Sequence, residues 1–163
     1  METSGSGRFI LYRHEPAQQD EDLVDAPEFA EVEEMRIQND AEGLFKAMFN
    51  SDDPEVKFAI DDALEDVGHR TIEPFIEALK NDNPWVRSGA AWILWNVQNV
   101  LAMGPLLEAL ADEDENVRWL VVAALGNIGD RSAIEPISMV PTGDDTFLKE
   151  IVADALESIK SRC

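Results

Sequence analysis

Trp85, Trp92, Trp119 and Phe58 fall at helix positions that polar residues would ordinarily fill, which makes them the side chains best suited to gripping another molecule. Trp85 and Trp92 are seven residues apart, so a helix puts them on one face. Indole rings bury a large area at small entropic cost and draw cations over their faces. Carboxylates and amides flank them at Asp62, Asp66, Asn96, Asn127 and Asp154. An acidic, aromatic surface of this kind suits a basic or amphipathic peptide, or a cationic ligand. The competing fate of the same rings is to turn sideways into the packing between neighbouring helices. For Trp95 that fate is the expected one.

Catalytic chemistry has fewer footholds. His14 and His69 lie in different regions and the one cysteine is Cys163, so zinc or iron ligation is not expected and no cofactor is assigned. A lone cysteine also rules out an internal disulfide. There is no Gly-rich phosphate loop, nucleophile elbow or Ser-His-Asp arrangement. Adjacent acids such as Asp61-Asp62 and Glu65-Asp66 read as a solvated face.

Charge narrows the choice of partners. The chain carries 34 Asp+Glu against 13 Lys+Arg, a net charge of −21. Such a field repels phosphate backbones and anionic membranes and attracts basic partners. The excess sits towards the front: residues 15–66 hold 18 acids and 3 bases, whereas 67–163 hold 15 and 8. With 45% apolar residues a packed core is expected. Apolar runs such as Trp119–Leu125 are too short to span a bilayer. The opening residues do not follow the pattern of a secretory signal, so a cytoplasmic setting is expected.

A repeat organises the elements that must carry these residues. The segments Asp53-Pro54-Glu55-Val56-Lys57, Asn83-Pro84-Trp85-Val86-Arg87, Asp114-Glu115-Asn116-Val117-Arg118 and Asp145-Thr146-Phe147-Leu148-Lys149 align, with the aliphatic anchor stepping by 30, 31 and 31. Pro74, Pro105 and Pro136 recur at 31. The acid or amide suits an N-cap, and a proline after it loses no amide bond. Apolar stripes such as Val117, Ala124, Leu125 and Ile128 then mark one helix of each unit, and Leu106, Leu107 and Leu110 its partner. Two helices of roughly ten to fourteen residues per unit are expected, with Gly68 and Gly129 as left-handed C-terminal caps. Lys57, Arg87, Arg118 and Lys149 share one register and read as a structural charge ladder. No single unit can hide its apolar face, so neighbours must stack.

The run from Asp114 to Pro136, DENVRWLVVAALGNIGDRSAIEP, resembles HEAT-like repeats of the short kind found in phycobilin lyase subunits and many small prokaryotic proteins. The resemblance covers about residues 41–160. It departs from the pattern at Val97-Gln98-Asn99-Val100, where a Gly-Asp turn is usual, and at Trp95, which takes the slot of Gly126. The fourth unit lacks its partner helix and ends on a capping helix. The resemblance implies an all-α superhelix, a solenoid of helix pairs, in which the Val-Arg helix lines a concave side whose non-core positions meet the partner. Carried over residue by residue, that face comprises Phe58, Asp62, Asp66, Trp85, Ser88, Trp92, Asn96, Trp119, Leu120, Asn127, Glu150 and Asp154.

The expected organisation is a largely disordered, acidic tail over 1–27 and a HEAT-like repeat domain over 28–163, with a capping helix at 28–40. Within the tail, Phe9-Ile10-Leu11-Tyr12 is a docking motif or a strip lying on the solenoid. His14-Glu15 resembles the His-Glu pairs of HEAT-repeat di-iron hydroxylases, but such sites need several pairs. The expected function is a non-catalytic protein–protein interaction module with an acidic, Trp-rich concave face. Two alternatives stand beside it: a phycobilin lyase subunit or bilin-binding protein, and an acidic mimic regulating a nucleic-acid-binding protein. Nucleic acid and membrane are not expected partners, and the sequence sets no oligomeric state.

Overall fold

The computed structural model describes residues 29–163, so the tail, Phe9–Tyr12 and the His14-Glu15 pair lie outside the described residues. Nine α-helices follow one another in this part: α1 Phe29–Gln38, α2 Ala41–Asn50, α3 Pro54–Arg70, α4 Glu73–Ala78, α5 Pro84–Val97, α6 Met103–Ala109, α7 Glu115–Ile128, α8 Ile134–Ser138 and α9 Thr146–Arg162. Short 3-10 turns, Val100–Ala102 and Arg131–Ala133, lead into α6 and α8. No strand occurs among the described residues.

The repeated caps act as their spacing predicts. The Asp53 carboxylate accepts from the Glu55 and Val56 amides, Asn83 from Trp85, Asp114 from Asn116 and Val117, and Asp145 from Leu148. Each satisfies amides that have no partner within the first turn. The glycines behave differently from expectation. Gly68 lies inside α3, and Gly129 has φ −65°, so neither is a left-handed cap. Size explains Gly68 instead: a Cβ there would come within 2.6 Å of Ile93 Cγ2 and 3.0 Å of Val97 Cγ2.

The four long helices α3, α5, α7 and α9 pack side by side in a row, and α4, α6 and α8 each pack against the long helix that follows. These partner helices have only six, seven and five residues, shorter than the sequence suggests. At the front, α2 packs on α3 and α4, while α1 lies against α2 and α3. One continuous core runs through the stack, with Phe45, Phe75, Leu64, Ile93, Leu106, Leu125, Ile137 and Leu148 shut off from solvent.

Two members of the basic register, Arg87 and Arg118, fasten the turns before their helices, and Arg87 also reaches the next unit. Arg87 Nη1 donates to the Asn81 and Asp82 carbonyls at 2.9 and 3.1 Å. Its other edge forms a fork on Asp112 of the next unit, Nε to Oδ2 at 2.7 Å and Nη2 to Oδ1 at 2.9 Å. Asp112 raises the pKa of Arg87 above its ordinary value through that hydrogen bond. Arg118 repeats half of the arrangement: its Nη1 donates to the Asp112 and Glu113 carbonyls, both at 2.9 Å.

Candidate interaction face

Each predicted face residue sits on one of the long helices, so the row decides what it meets. Trp85 turns back towards the first unit, edge-on to Phe45 and Phe49 with ring centroids 6.3 and 5.9 Å apart. One turn along, Gly89 leaves room for the same ring: a Cβ there would lie 2.6 Å from Phe45 Cε1. This side of α5 therefore faces α2. Trp92 continues it and is only 3% exposed, and its Nε1 meets no acceptor among the described residues.

Trp119 turns the other way. Its ring stands edge-on to Phe147 at the start of α9, with centroids 5.5 Å apart, and it is 7% exposed. Leu120 beside it is buried, as is Ser88, whose hydroxyl donates to the Trp85 carbonyl at 2.8 Å. The expectation of tryptophans standing in an open groove thus fails at Trp92 and Trp119, and Ser88 and Leu120 fail with them. The physical reason is enclosure. Helices α5 and α7 have a long helix on either side and a short one against them, so rings that a single helix would hold in water are covered by neighbours.

The rest of the set remains at the surface. Phe58 is 53% exposed, and Asp62, Asn96, Asn127, Glu150 and Asp154 are all exposed. They are distributed over the long helices α3, α5, α7 and α9, and Phe147 at the start of α9 is also half exposed. Asp66 is half buried and already engaged, 2.7 Å from Arg36 Nη1 and 3.2 Å from Arg70 Nη2. Arg70 also donates to the Arg36 carbonyl, which ties α1 to α3. Arg36 holds Glu33 below the usual carboxylate range, chiefly through their hydrogen bond.

A second feature was not read from the sequence. A cavity of about 500 Å³ opens between the ends of α6 and α8, with Arg118 in its wall. The signal that could have revealed it is Gly143, which stands one repeat after Asp112 in the place of an acid. Among the described residues, no group of three or more His, Cys, Asp or Glu side chains could hold a metal ion. No described helix is long and apolar enough to cross a membrane.

Long and short helices alternating at a period of about 31 residues, with the long ones stacked in a row, define an α-solenoid of helix pairs. The profile of the HEAT repeats matches residues 41–103 and 72–157, and the chain belongs to that family. A curated relative, "Uncharacterized phycocyanin operon protein Z" of Pseudanabaena tenuis (strain PCC 7409), is 28% identical over 89 residues. That match covers 55% of this chain and 44% of the relative, so the chain spans less than half of the relative's length. Among solved structures, the crystal structure of an engineered protein matches with a TM-score of 0.52 at 22% identity, over 83% of this chain and 68% of the other. That likeness speaks to the fold alone. A second engineered protein matches with a TM-score of 0.47 at 22% identity, over 83% of this chain and 41% of its own.

Proposed function

We propose that this HEAT-repeat scaffold is a non-catalytic protein-interaction module that takes a basic or amphipathic segment along the exposed stripe of its long helices. The observation that supports the reading is the survival at the surface of Phe58, Asp62, Asn96, Asn127, Glu150 and Asp154 in a chain of net charge −21. Carboxylates set between exposed rings attract cationic side chains by long-range field and hold the apolar side of the segment by contact.

The test is titration with an amphipathic Lys-rich peptide at two salt concentrations, using the wild type and an Asp62→Lys/Asp154→Lys double variant. Binding through the stripe weakens with salt, and weakens at least tenfold in the variant. Equal affinity of both proteins at low salt would remove the stripe from consideration.

A second reading, bilin handling, draws support from the relative whose name places it in a phycocyanin operon. Trp92 is not open for stacking on a tetrapyrrole, so exposed Phe58 would take that part, with Asp62 pairing to pyrrole nitrogens. Mixing with a bilin should then give a red-shifted absorbance band that Asp62→Ala abolishes. An unchanged spectrum at micromolar concentrations argues against it.

A further inference from the structure

The repeat equips Arg87 and Arg118 alike on one edge and differently on the other. Both give Nη1 to two carbonyls of the preceding turn. The Nε–Nη2 edge of Arg87 is filled by the Asp112 carboxylate. In the next unit the corresponding position is Gly143, which has no side chain to offer. Arg118 Nε is accordingly buried with no acceptor among the described residues, and Nη2 comes only within 3.8 Å of Glu115, beyond hydrogen-bonding range. A buried donor without an acceptor is uncommon in folded proteins and calls for an explanation.

Arg118 lines the cavity of about 500 Å³, whose other walls include Leu107, Leu110, Pro136, Met139 and Pro141. Met139 is 74% exposed. Asp112 also borders the space, but its two oxygens already accept from Arg87 and from the Asp114 amide. The guanidinium fork matches a carboxylate in geometry and charge, as the Arg87–Asp112 pair demonstrates one repeat earlier. We infer that a partner supplies the carboxylate that the repeat omits here: the Arg118 cavity binds an aspartate or glutamate flanked by apolar side chains in a peptide segment.

The apolar flank follows from electrostatics. A chain of net charge −21 disfavours a bare anion, so contact with the leucines, prolines and Met139 must contribute to holding the acid in place. A cavity of this size accommodates an acidic side chain together with an apolar neighbour. The site shares no residue with the stripe of the long helices, so the two stand or fall separately.

The experiment follows the arginine Nε–H signals of 15N-labelled protein by NMR, with the Arg118 signal assigned by its loss in Arg118→Lys. The probes are an acetylated, amidated pentapeptide with one aspartate among leucines, its asparagine counterpart, and propionate. The aspartate peptide should shift the Arg118 signal saturably while the Arg87 signal, already hydrogen-bonded, stays in place. The asparagine peptide should show at least tenfold weaker binding, and so should the Arg118→Lys protein, read there from the backbone amide signals of Leu107 and Leu110 at the cavity. Met139→Glu, a change at an exposed position that leaves the core untouched, should weaken binding as much by repelling the acid. An Arg118 signal that does not move at millimolar peptide overturns the proposal, as does equal binding of the aspartate and asparagine peptides. Propionate binding as tightly as the peptide overturns the peptide as the source of the carboxylate.

Discussion

Positions one repeat apart meet opposite fates in the outer and the middle helices of the row. Phe58 on α3 is 53% exposed and Glu150 on α9 is exposed, whereas Trp119 on α7, in the same register, is 7% exposed. Asp62 and Asp154 stand in water, and Trp92 between them is 3% exposed. On α5 every residue from Val86 to Leu94 is buried, while on α3 burial is interrupted at each turn. Register therefore assigns the side of a helix on which a residue emerges, and the neighbours assign whether that side meets water. A helix covered on most of its sides is apolar over most of its surface. In these two registers the indoles fall on the middle helices and the carboxylates on the outer ones.

The strongest way to break this comparison is to truncate one member of a register and leave its counterpart. Trp92→Ala should cost about 3–5 kcal/mol in denaturant unfolding, because a large ring leaves a hole that the stack cannot close. Asp62→Ala, one repeat earlier, should stay within about 0.5 kcal/mol. Similar values for the two would mean that Trp92 is not enclosed. Trp92→Phe sharpens the point, since it also removes an indole N–H that lacks an acceptor among the described residues. Its expected cost is about 1 kcal/mol or less.

Charges obey the same contrast. The Arg87 and Asp112 side chains are 10% and 9% exposed and joined through two hydrogen bonds. Asp112→Ala strands a covered guanidinium, which keeps its two carbonyl contacts and a 3.9 Å approach to exposed Glu113, and should cost about 2–3 kcal/mol. Glu115 is 72% exposed and 3.8 Å from Arg118, so Glu115→Ala should change stability by less than about 0.5 kcal/mol. Thermal unfolding of both variants at one salt concentration checks the pair. A small loss at Asp112 would show that the fork is no staple.

Much of the fold is legible in the sequence because its repeat writes local rules several times over. The cap residues at Asp53, Asn83, Asp114 and Asp145, the prolines that follow two of them, and the aliphatic anchors each act within one turn of helix. Local patterns of that kind survive in any surroundings. The depth of Trp92 and Trp119 was not legible, because it depends on helices of the neighbouring units, such as the one that brings Phe147 onto Trp119 from 28 residues away. The aromatic spacing that marks a binding face on one helix also marks an inter-helix seam. Gly89 held the missing hint: a residue without a side chain between Trp85 and Trp92 makes room for a close neighbour, and that neighbour is Phe45. Gly143 held a similar hint for Arg118: it stands one repeat after Asp112 and brings no side chain.

Glycines also give the finest test of where the row is tight. At Gly126 in α7, an added Cβ would lie 2.9 Å from Ala155 Cβ and 3.0 Å from the Ala155 Cα of α9. Backbone cannot swing aside as a flexible side chain can, so Gly126→Ala must push the two long helices apart, at about 1–3 kcal/mol. At Gly104 in the short helix α6, nothing lies within 4 Å of the same added atom. There the substitution only removes freedom from the unfolded chain and favours the helix, so Gly104→Ala should stabilise by about 0.5–1 kcal/mol. The same methyl group thus carries opposite signs in a long helix and in its short neighbour, and urea unfolding midpoints of the two variants read the difference directly. If Gly126→Ala raised the midpoint as Gly104→Ala does, α7 and α9 could not be in backbone contact, and the enclosure of the middle helices would lose its geometric basis.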